Sequence, residues 1–176
     1  NYGIQLATST NNTIVLNNTI NSGGSGASNR GIVLAGNSFR NNLTHNRILS
    51  RGTDNNYGIN FATNINLTVV EYNNVTTNGT TSSNMGIYVE VTGGLNNITN
   101  NVVVTNGTSS NEGIRISSNS HHNVADNNNI TTTGSASSNV GIDITTRATS
   151  NNVTNNIVNT SGTSNNYGIQ LDTSVN

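Results

Sequence analysis

Three side chains that could jointly bind a ligand follow one another along this chain at intervals of one repeat. Tyr88, Arg115 and Asp143 are separated by 27 and 28 residues, the same period at which the rest of the chain repeats. If residues one period apart are neighbours, the guanidinium lies between the tyrosine ring and the carboxylate, which permits a cation–π contact and an ion pair. These three residues could form a small sugar-binding patch. Alternatively they are an exposed charge pair that contributes at most about 1 kcal/mol to stability.

Carboxylates that could catalyse a reaction are few and dispersed. Glycoside hydrolysis needs two carboxyl groups at a defined separation on one face. The seven acidic residues fall mostly at different positions of the repeat; Glu90 and Asp172 share one but lie three repeats apart. The sequence therefore predicts no catalytic residue and no enzyme, with a polysaccharide lyase or hydrolase as the alternative.

Histidine and cysteine give no strong metal signal. The chain has no Cys, which excludes thiolate metal sites, cysteine catalysis and disulfides. His121 and His122 precede Asp126 by four or five residues, which is a weak pattern for a metal ion. His45 is expected directly below Tyr72 of the next turn, with Arg47 and Glu71 nearby. A solvated surface cluster is the simpler interpretation of both, so we expect no metal site and no cofactor.

Charge excludes some partners. The net charge is −1, the six basic residues are all Arg, and they are scattered rather than clustered, so we expect no nucleic-acid partner. No stretch approaches the roughly 18 apolar residues of a membrane-spanning helix, so we expect no membrane insertion. Asn, Thr and Ser together make up about half of the residues.

The elements that would position these side chains follow from a repeated phrase, Asn-x-Gly-Ile-x-apolar. It occurs seven times, and the distances between successive copies alternate between 28 and 27 residues. Linkers and random low-complexity sequence do not keep such a period. The glycines of the phrase are Gly3, Gly31, Gly58, Gly86, Gly113, Gly141 and Gly168.

Asparagine occupies two positions of every repeat without exception. The first position is two residues before the glycine and contains Asn1, Asn29, Asn56, Asn84, Asn111, Asn139 and Asn166. The second is fifteen residues after the glycine and contains Asn18, Asn46, Asn73, Asn101, Asn128 and Asn156. An Asn side chain has both donors and acceptors, so we expect each set to form a hydrogen-bonded ladder along a stack of repeats.

Apolar residues recur at period two in two short segments of each repeat, and no segment has helical periodicity. Short strands recurring every 27–28 residues without a crossover helix predict a coil whose turns stack in parallel register, about 4.8 Å apart. The fold class predicted is all-β: a right-handed parallel β-helix, or β-solenoid, of about six turns with no helix. The glycine before each first strand is expected to supply backbone freedom at a corner.

Two phrases recur along the chain: "NxGIxL", and a second phrase found as "NNTI" at 17–20 and "NNNI" at 127–130. They resemble those of the right-handed parallel β-helix repeat family, which includes NosD-type periplasmic proteins and the pectin-lyase-like superfamily. The resemblance spans the whole chain and implies the fold. It leaves function open, because that superfamily includes lyases, hydrolases, carbohydrate binders, adhesins and passive spacers.

The sequence as a whole favours a structural protein. We expect residues 1–176 to be one β-solenoid segment of an extracellular or cell-surface stalk, sheath or filament, part of a longer repetitive chain or stacked fibre. Its expected partners are itself or neighbouring solenoid segments, and polysaccharide under the alternative hypothesis of a carbohydrate-binding or carbohydrate-active module. An ice-binding face is disfavoured because no outward position is Thr in all turns. Asn78 and Asn106 are the accessible glycosylation acceptors, although sequons are no more frequent than composition supplies.

Overall fold

The chain folds into a parallel β-solenoid of about six turns in a computed structural model that describes residues 1–172. Each turn contributes one strand to each of three parallel sheets, and the described residues contain no helix. Sheet A contains β1 (Tyr2–Leu6), β4 (Arg30–Leu34), β7 (Tyr57–Phe61), β10 (Met85–Val89), β13 (Glu112–Ile116), β16 (Val140–Ile144) and β19 (Tyr167–Leu171). Sheet B contains β2 (Ile14–Leu16), β5 (Asn42–Thr44), β8 (Val69–Glu71), β11 (Asn97–Thr99), β14 (Val124–Asp126) and β17 (Asn152–Thr154). Sheet C contains β3 (Thr19–Gly23), β6 (Arg47–Gly52), β9 (Asn74–Gly79), β12 (Val102–Gly107), β15 (Asn129–Gly134) and β18 (Ile157–Ser161).

The register of the sheets confirms that residues one period apart lie above one another. Ile59 pairs with Ile32 in the turn before it and with Ile87 in the turn after it. The single extra residue of the longer repeats lies between sheet C and the next strand of sheet A. All strand positions therefore stay in register although the period alternates.

The interior is a continuous stack of like side chains. Ile, Leu, Val and Phe from all three sheets form one buried cluster that extends from Leu6 to Ala148. Ile32, Ile59, Ile87 and Ile114 are fully inaccessible to solvent. The core is narrow, so every turn depends on the turns above and below it to cover its apolar side chains.

The repeat glycine lies inside a strand, and the expectation that it supplies backbone freedom at a corner is wrong. None of the seven glycines has a positive φ angle; among the described glycines only Gly36 has one. Instead, the glycine makes room for close packing. A Cβ atom on Gly86 would lie 2.5 Å from the carbonyl oxygen of Gly113 in the next turn and would overlap the side chain of Val103.

This glycine also breaks the alternation of the strand. The Cβ position of Gly86 faces the core residue Val103, and the following Ile87 is itself in the core. Two consecutive residues therefore face inward. As a result the residue immediately before the glycine faces outward, on the same side as the residue two positions after the glycine.

A second glycine position, at the end of sheet C, was not identified from the sequence. It contains Gly24, Gly52, Gly79, Gly107, Gly134 and Gly162. A Cβ atom on Gly107 would lie 2.5 Å from the amide nitrogen of Asn84 and 2.6 Å from the carbonyl oxygen of Thr81. This position therefore keeps space for the side chains of the first asparagine ladder.

Both predicted asparagine ladders are present. In the ladder between sheets B and C, each amide nitrogen donates to the side-chain oxygen of the Asn in the next turn; the Asn46–Asn73, Asn73–Asn101 and Asn101–Asn128 distances are all 3.0 Å. The ladder between sheets C and A has the same direction, with 2.9 Å from Asn56 to Asn84 and 2.8 Å from Asn111 to Asn139. Most of these residues are at most 1% exposed, so the amides satisfy one another in the interior.

A third ladder lies before sheet B and was missed in the sequence. Asn96 donates to Asn123 and Asn123 donates to Asn151, each at 3.0 Å. Thr replaces Asn in this ladder at Thr13 and Thr68. At both positions only the backbone N–H of the Thr donates to the side-chain oxygen of the Asn in the next turn, at 2.9 Å. Each ladder residue follows a residue in the left-handed region, such as Tyr72 with φ 54° before Asn73 in the second ladder.

Candidate functional site

The outer face of sheet A brings the predicted patch together. Tyr88, Arg115 and Asp143 are direct partners on β10, β13 and β16. The guanidinium carbon of Arg115 lies 5.6 Å from the centre of the Tyr88 ring, and Arg115 Nε lies 3.8 Å from Asp143 Oδ2. The cation–π contact and the ion pair that the spacing predicts are both present.

Glu112 is a fourth member that sequence analysis missed. Arg115 Nη1 donates to both carboxylate oxygens of Glu112, at 3.1 and 3.3 Å. Strict alternation along β13 would put Glu112 on the inner face, but the glycine that follows it reverses the side. The signal in the sequence is that this position also contains Tyr, Arg and Met, which do not suit a narrow core.

Burial controls the charge state of the two carboxyl groups. Side-chain exposure is 10% for Glu112 and 9% for Asp143. Burial raises the pKa of Glu112 to about 7; Arg115 opposes this shift and Asp143 adds to it. The pKa of Asp143 is also raised by burial and lowered in part by Arg115. Glu112 therefore changes its protonation near neutral pH.

Aromatic and amide groups extend the patch toward the first turns. Tyr57 contacts Tyr88 edge to face, with ring centres 5.4 Å apart, and Arg30 lies over Tyr57 at 5.0 Å. Arg30 also donates to the side-chain oxygen of Asn60, at 2.9 Å. Asn60 is fully covered although it faces outward, because these long side chains fold over it. The face is thus a continuous layer of stacked aromatic and cationic groups.

Chemically, this arrangement could bind a ligand through its exposed side chains. Both carboxyl groups hold Arg115 and are mostly covered, whereas the Arg115 side chain is 26% exposed. Arg115 Nε and Asp143 Oδ1 have no hydrogen-bond partner among residues 1–172. Half-buried tyrosine rings next to polar groups of this kind can pack on the apolar face of a sugar ring and hydrogen-bond its hydroxyls.

The histidines do not converge with carboxylates. His45 stacks on Tyr72 with ring centres 5.1 Å apart, and His121 contacts only His122 edge to face among aromatic rings. Asp126 instead accepts hydrogen bonds from Thr154 and Asn155. In the part of the chain that the structure describes, no three His, Asp or Glu side chains could hold one metal ion.

The two predicted glycosylation acceptors lie side by side on sheet C. Asn78 and Asn106 are partners on β9 and β12, and the Asn106 amide nitrogen donates to Asn78 Oδ1 at 2.7 Å. The Thr133 hydroxyl contacts Asn106 from the following turn. Both Asn side chains are half-buried, and glycosylation stays a prediction.

No family model, curated protein or solved structure matches this chain. Within residues 1–172 there is also no helix of the length and hydrophobicity that crossing a membrane requires. The proposals below therefore depend on the sequence and on the geometry of the solenoid.

Proposed function

We propose that this chain is a structural β-solenoid, a rod-like segment of an extracellular or cell-surface stalk, sheath or filament, and that it is not an enzyme. The observation that carries the proposal is the unbroken stacking of its ladders. The first two asparagine ladders run without a gap from the first turn to the last, linking Asn1 to Asn166 and Asn18 to Asn156.

The direction of the hydrogen bonds supports a mechanical role. Strand pairing and ladder bonds both connect each turn to the next, so they run along the long axis. Six turns at about 4.8 Å give a rod of roughly 30 Å. Such a stack lengthens by whole turns without any change in its cross-section.

The surface supports exposure to a wide range of solution conditions. Only 7% of the residues are charged, and the outward positions of sheet C are mostly Asn, Thr or Ser, whose hydrogen bonding does not depend on pH or salt. Ladder residues and strands leave few flexible segments, and proteases cleave flexible segments most easily. We further propose that its partners are other solenoid segments.

Immunolabelling tests the proposed location and electron microscopy tests the proposed shape. Antibodies raised against the chain should label intact producing cells or their secreted fraction, and micrographs of that material should contain rods of uniform width. Labelling that requires permeabilised cells would contradict the location. Compact particles of fixed size in place of rods would contradict the structural role.

A second candidate function is carbohydrate binding on the outer face of sheet A. It is favoured by the stacked Tyr57, Tyr88 and Arg115 side chains, because the Arg115 side chain is 26% exposed. A glycan array tests it, with Tyr88→Ala as the disrupting variant and Tyr72→Ala, at an exposed corner elsewhere, as the matched control. Binding that Tyr88→Ala abolishes and Tyr72→Ala leaves intact would support this function, and an array without a hit would refute it.

We also propose that the solenoid is right-handed and of the NosD or pectin-lyase-like type. The support is the pair of repeated phrases, "NxGIxL", which contains the strand of sheet A, and an Asn-containing phrase at the start of the strand of sheet C. An experimental crystal structure would test the handedness directly, and a left-handed coil would refute it.

A further inference from the structure

Sheet C has a charge pattern unlike that of sheet A. Its six strands contain no Asp or Glu, and their only charged residues are Arg47 and Arg51 on β6. Both are exposed and both face outward, on either side of the half-buried Leu49. Four residues of extended chain separate their Cα atoms by about 13 Å.

A groove in the first three turns contains both arginines. One cavity of about 390 Å³ is lined by Arg47 and Leu49 together with Asn21, Thr76 and Asn78. An adjoining cavity of about 340 Å³ is lined by Arg51 and again by Asn78. Asn78 lines both, so the two cavities lie next to each other along β6. We call the two together the sheet C groove.

The two guanidinium groups are not neutralised by the protein. Among the described residues every ion pair involves Arg115, and neither Arg47 nor Arg51 has a carboxylate oxygen within 4 Å. Arg51 donates to the side-chain oxygen of Asn21 at 3.1 Å, which leaves most of its donors free. Asp54, the nearest acid along the chain, accepts hydrogen bonds from Thr53 and Asn55.

We propose that the sheet C groove binds an acidic oligosaccharide, a linear sugar chain that carries carboxylate or sulfate groups. A guanidinium binds either oxyanion through two parallel hydrogen bonds, so Arg47 and Arg51 hold two acidic groups of the chain. The amides of Asn21 and Asn78 and the Thr76 hydroxyl bind sugar hydroxyls between them.

The lining distinguishes a sugar chain from a nucleic acid. Single-stranded nucleic acid is held by aromatic side chains that stack on its bases, together with a dense row of cations. No Phe, Tyr or Trp lines the groove, and it has only two cations. Leu49 offers a small apolar surface that suits the face of a sugar ring. Binding here would anchor the rod laterally to an anionic matrix, a role separate from its stability.

Fluorescence polarisation with labelled oligosaccharides tests the proposal. The probes are a sulfated hexasaccharide, a uronic-acid hexasaccharide, a neutral glucan of equal length and a single-stranded oligonucleotide of equal charge. The variants are Arg47→Gln and Arg51→Gln. The matched control is Arg147→Gln, which removes the same charge from an exposed corner between sheets A and B.

The proposal predicts that at least one acidic hexasaccharide binds and that the neutral glucan does not. Each groove variant should weaken that binding about tenfold, whereas Arg147→Gln should leave it unchanged. The two acidic probes reveal whether carboxylate or sulfate is preferred. All variants should melt like the parent chain, so a loss of binding is not a loss of fold.

Three results would overturn it: neither acidic probe binds, the groove variants and the control bind equally well, or the oligonucleotide binds more tightly through the same arginines. A negative result here leaves the rod proposal untouched, because that proposal is tested by labelling and microscopy. Tyr88→Ala should not affect binding, which separates this groove from the sheet A patch.

Discussion

Replacing one buried ladder residue tests the energetic role of the stacked amides. Asn101 is 1% exposed and lies in the middle of the ladder between sheets B and C. Its side-chain oxygen accepts from the backbone and the side-chain nitrogen of Asn73, both at 3.0 Å. Its own nitrogen donates to Asn128 Oδ1 at 3.0 Å and to the Val70 carbonyl at 2.9 Å. The same nitrogen also lies 3.0 Å from the Thr99 carbonyl, so Asn101→Ala removes five contacts.

The size of the effect follows from the polar groups that the substitution leaves without a hydrogen-bond partner. Two buried N–H donors of Asn73 lose their acceptor, and each unsatisfied buried polar group costs about 1–3 kcal/mol. We therefore expect the free energy of unfolding to fall by about 4 kcal/mol. A surface Asn→Ala substitution, in contrast, changes stability by less than about 0.5 kcal/mol.

Urea denaturation followed by far-ultraviolet circular dichroism measures this difference. The matched control is Asn97→Ala, in the same turn, because Asn97 is exposed and has no side-chain hydrogen bond within residues 1–172. The reasoning is refuted if the two variants lose stability equally, or if Asn101→Ala lies within about 0.5 kcal/mol of the parent chain.

Three further predictions concern single side chains. Gly86→Ala should destabilise the fold by about 3 kcal/mol or more in urea denaturation, because the added Cβ would overlap neighbouring atoms. Gly26→Ala, with open space at its Cβ, should be neutral, and equal effects of the two substitutions would disprove the packing role. Because burial raises the pKa of Glu112 to about 7 from 4.5, the folded chain holds this proton more tightly than the unfolded chain, so stability should fall by about 3 kcal/mol between those pH values. The same titration of Glu112→Gln should lose most of this slope, and an unchanged slope would exclude Glu112 as its source. Leu95 is 58% exposed with φ 58°, so Leu95→Asn should raise the melting temperature by relieving about 1 kcal/mol of backbone strain, and a lower melting temperature would show that the leucine makes a stabilising contact.

The sequence alone predicts the stack and its register, because identical residues have to meet when turns overlay. The columns of Ile around Ile59 and the two uninterrupted asparagine ladders lie where the period puts them. The same logic places Tyr88 next to Arg115 without any knowledge of the sheet. A strict period thus carries three-dimensional information that composition does not.

Features that depend on a local break in the pattern could not be predicted in the same way. Glu112 joins the patch because the following glycine lets two consecutive residues face inward, and alternation alone puts it on the wrong side. The third ladder is not visible as a column of Asn in the sequence, because Thr13 and Thr68 occupy two of its positions and make only the backbone hydrogen bond to the next turn. The sheet C groove needs coordinates, because the empty space around Arg47 and Arg51 follows from side-chain size on neighbouring strands.

Engineered disulfide formation tests most directly whether residues one period apart are in contact. The chain has no Cys, so a pair placed at Asn97 and Val124, direct partners on β11 and β14, is free of competing thiols. Neighbouring parallel strands bring Cα atoms to about 4.8 Å, within the range that a disulfide spans. Mild oxidation should link this pair nearly completely and should leave a control pair at Asn97 and Asn129, on different sheets, unlinked. Failure of the first pair to link, or equal linking of both, would contradict the stacked solenoid.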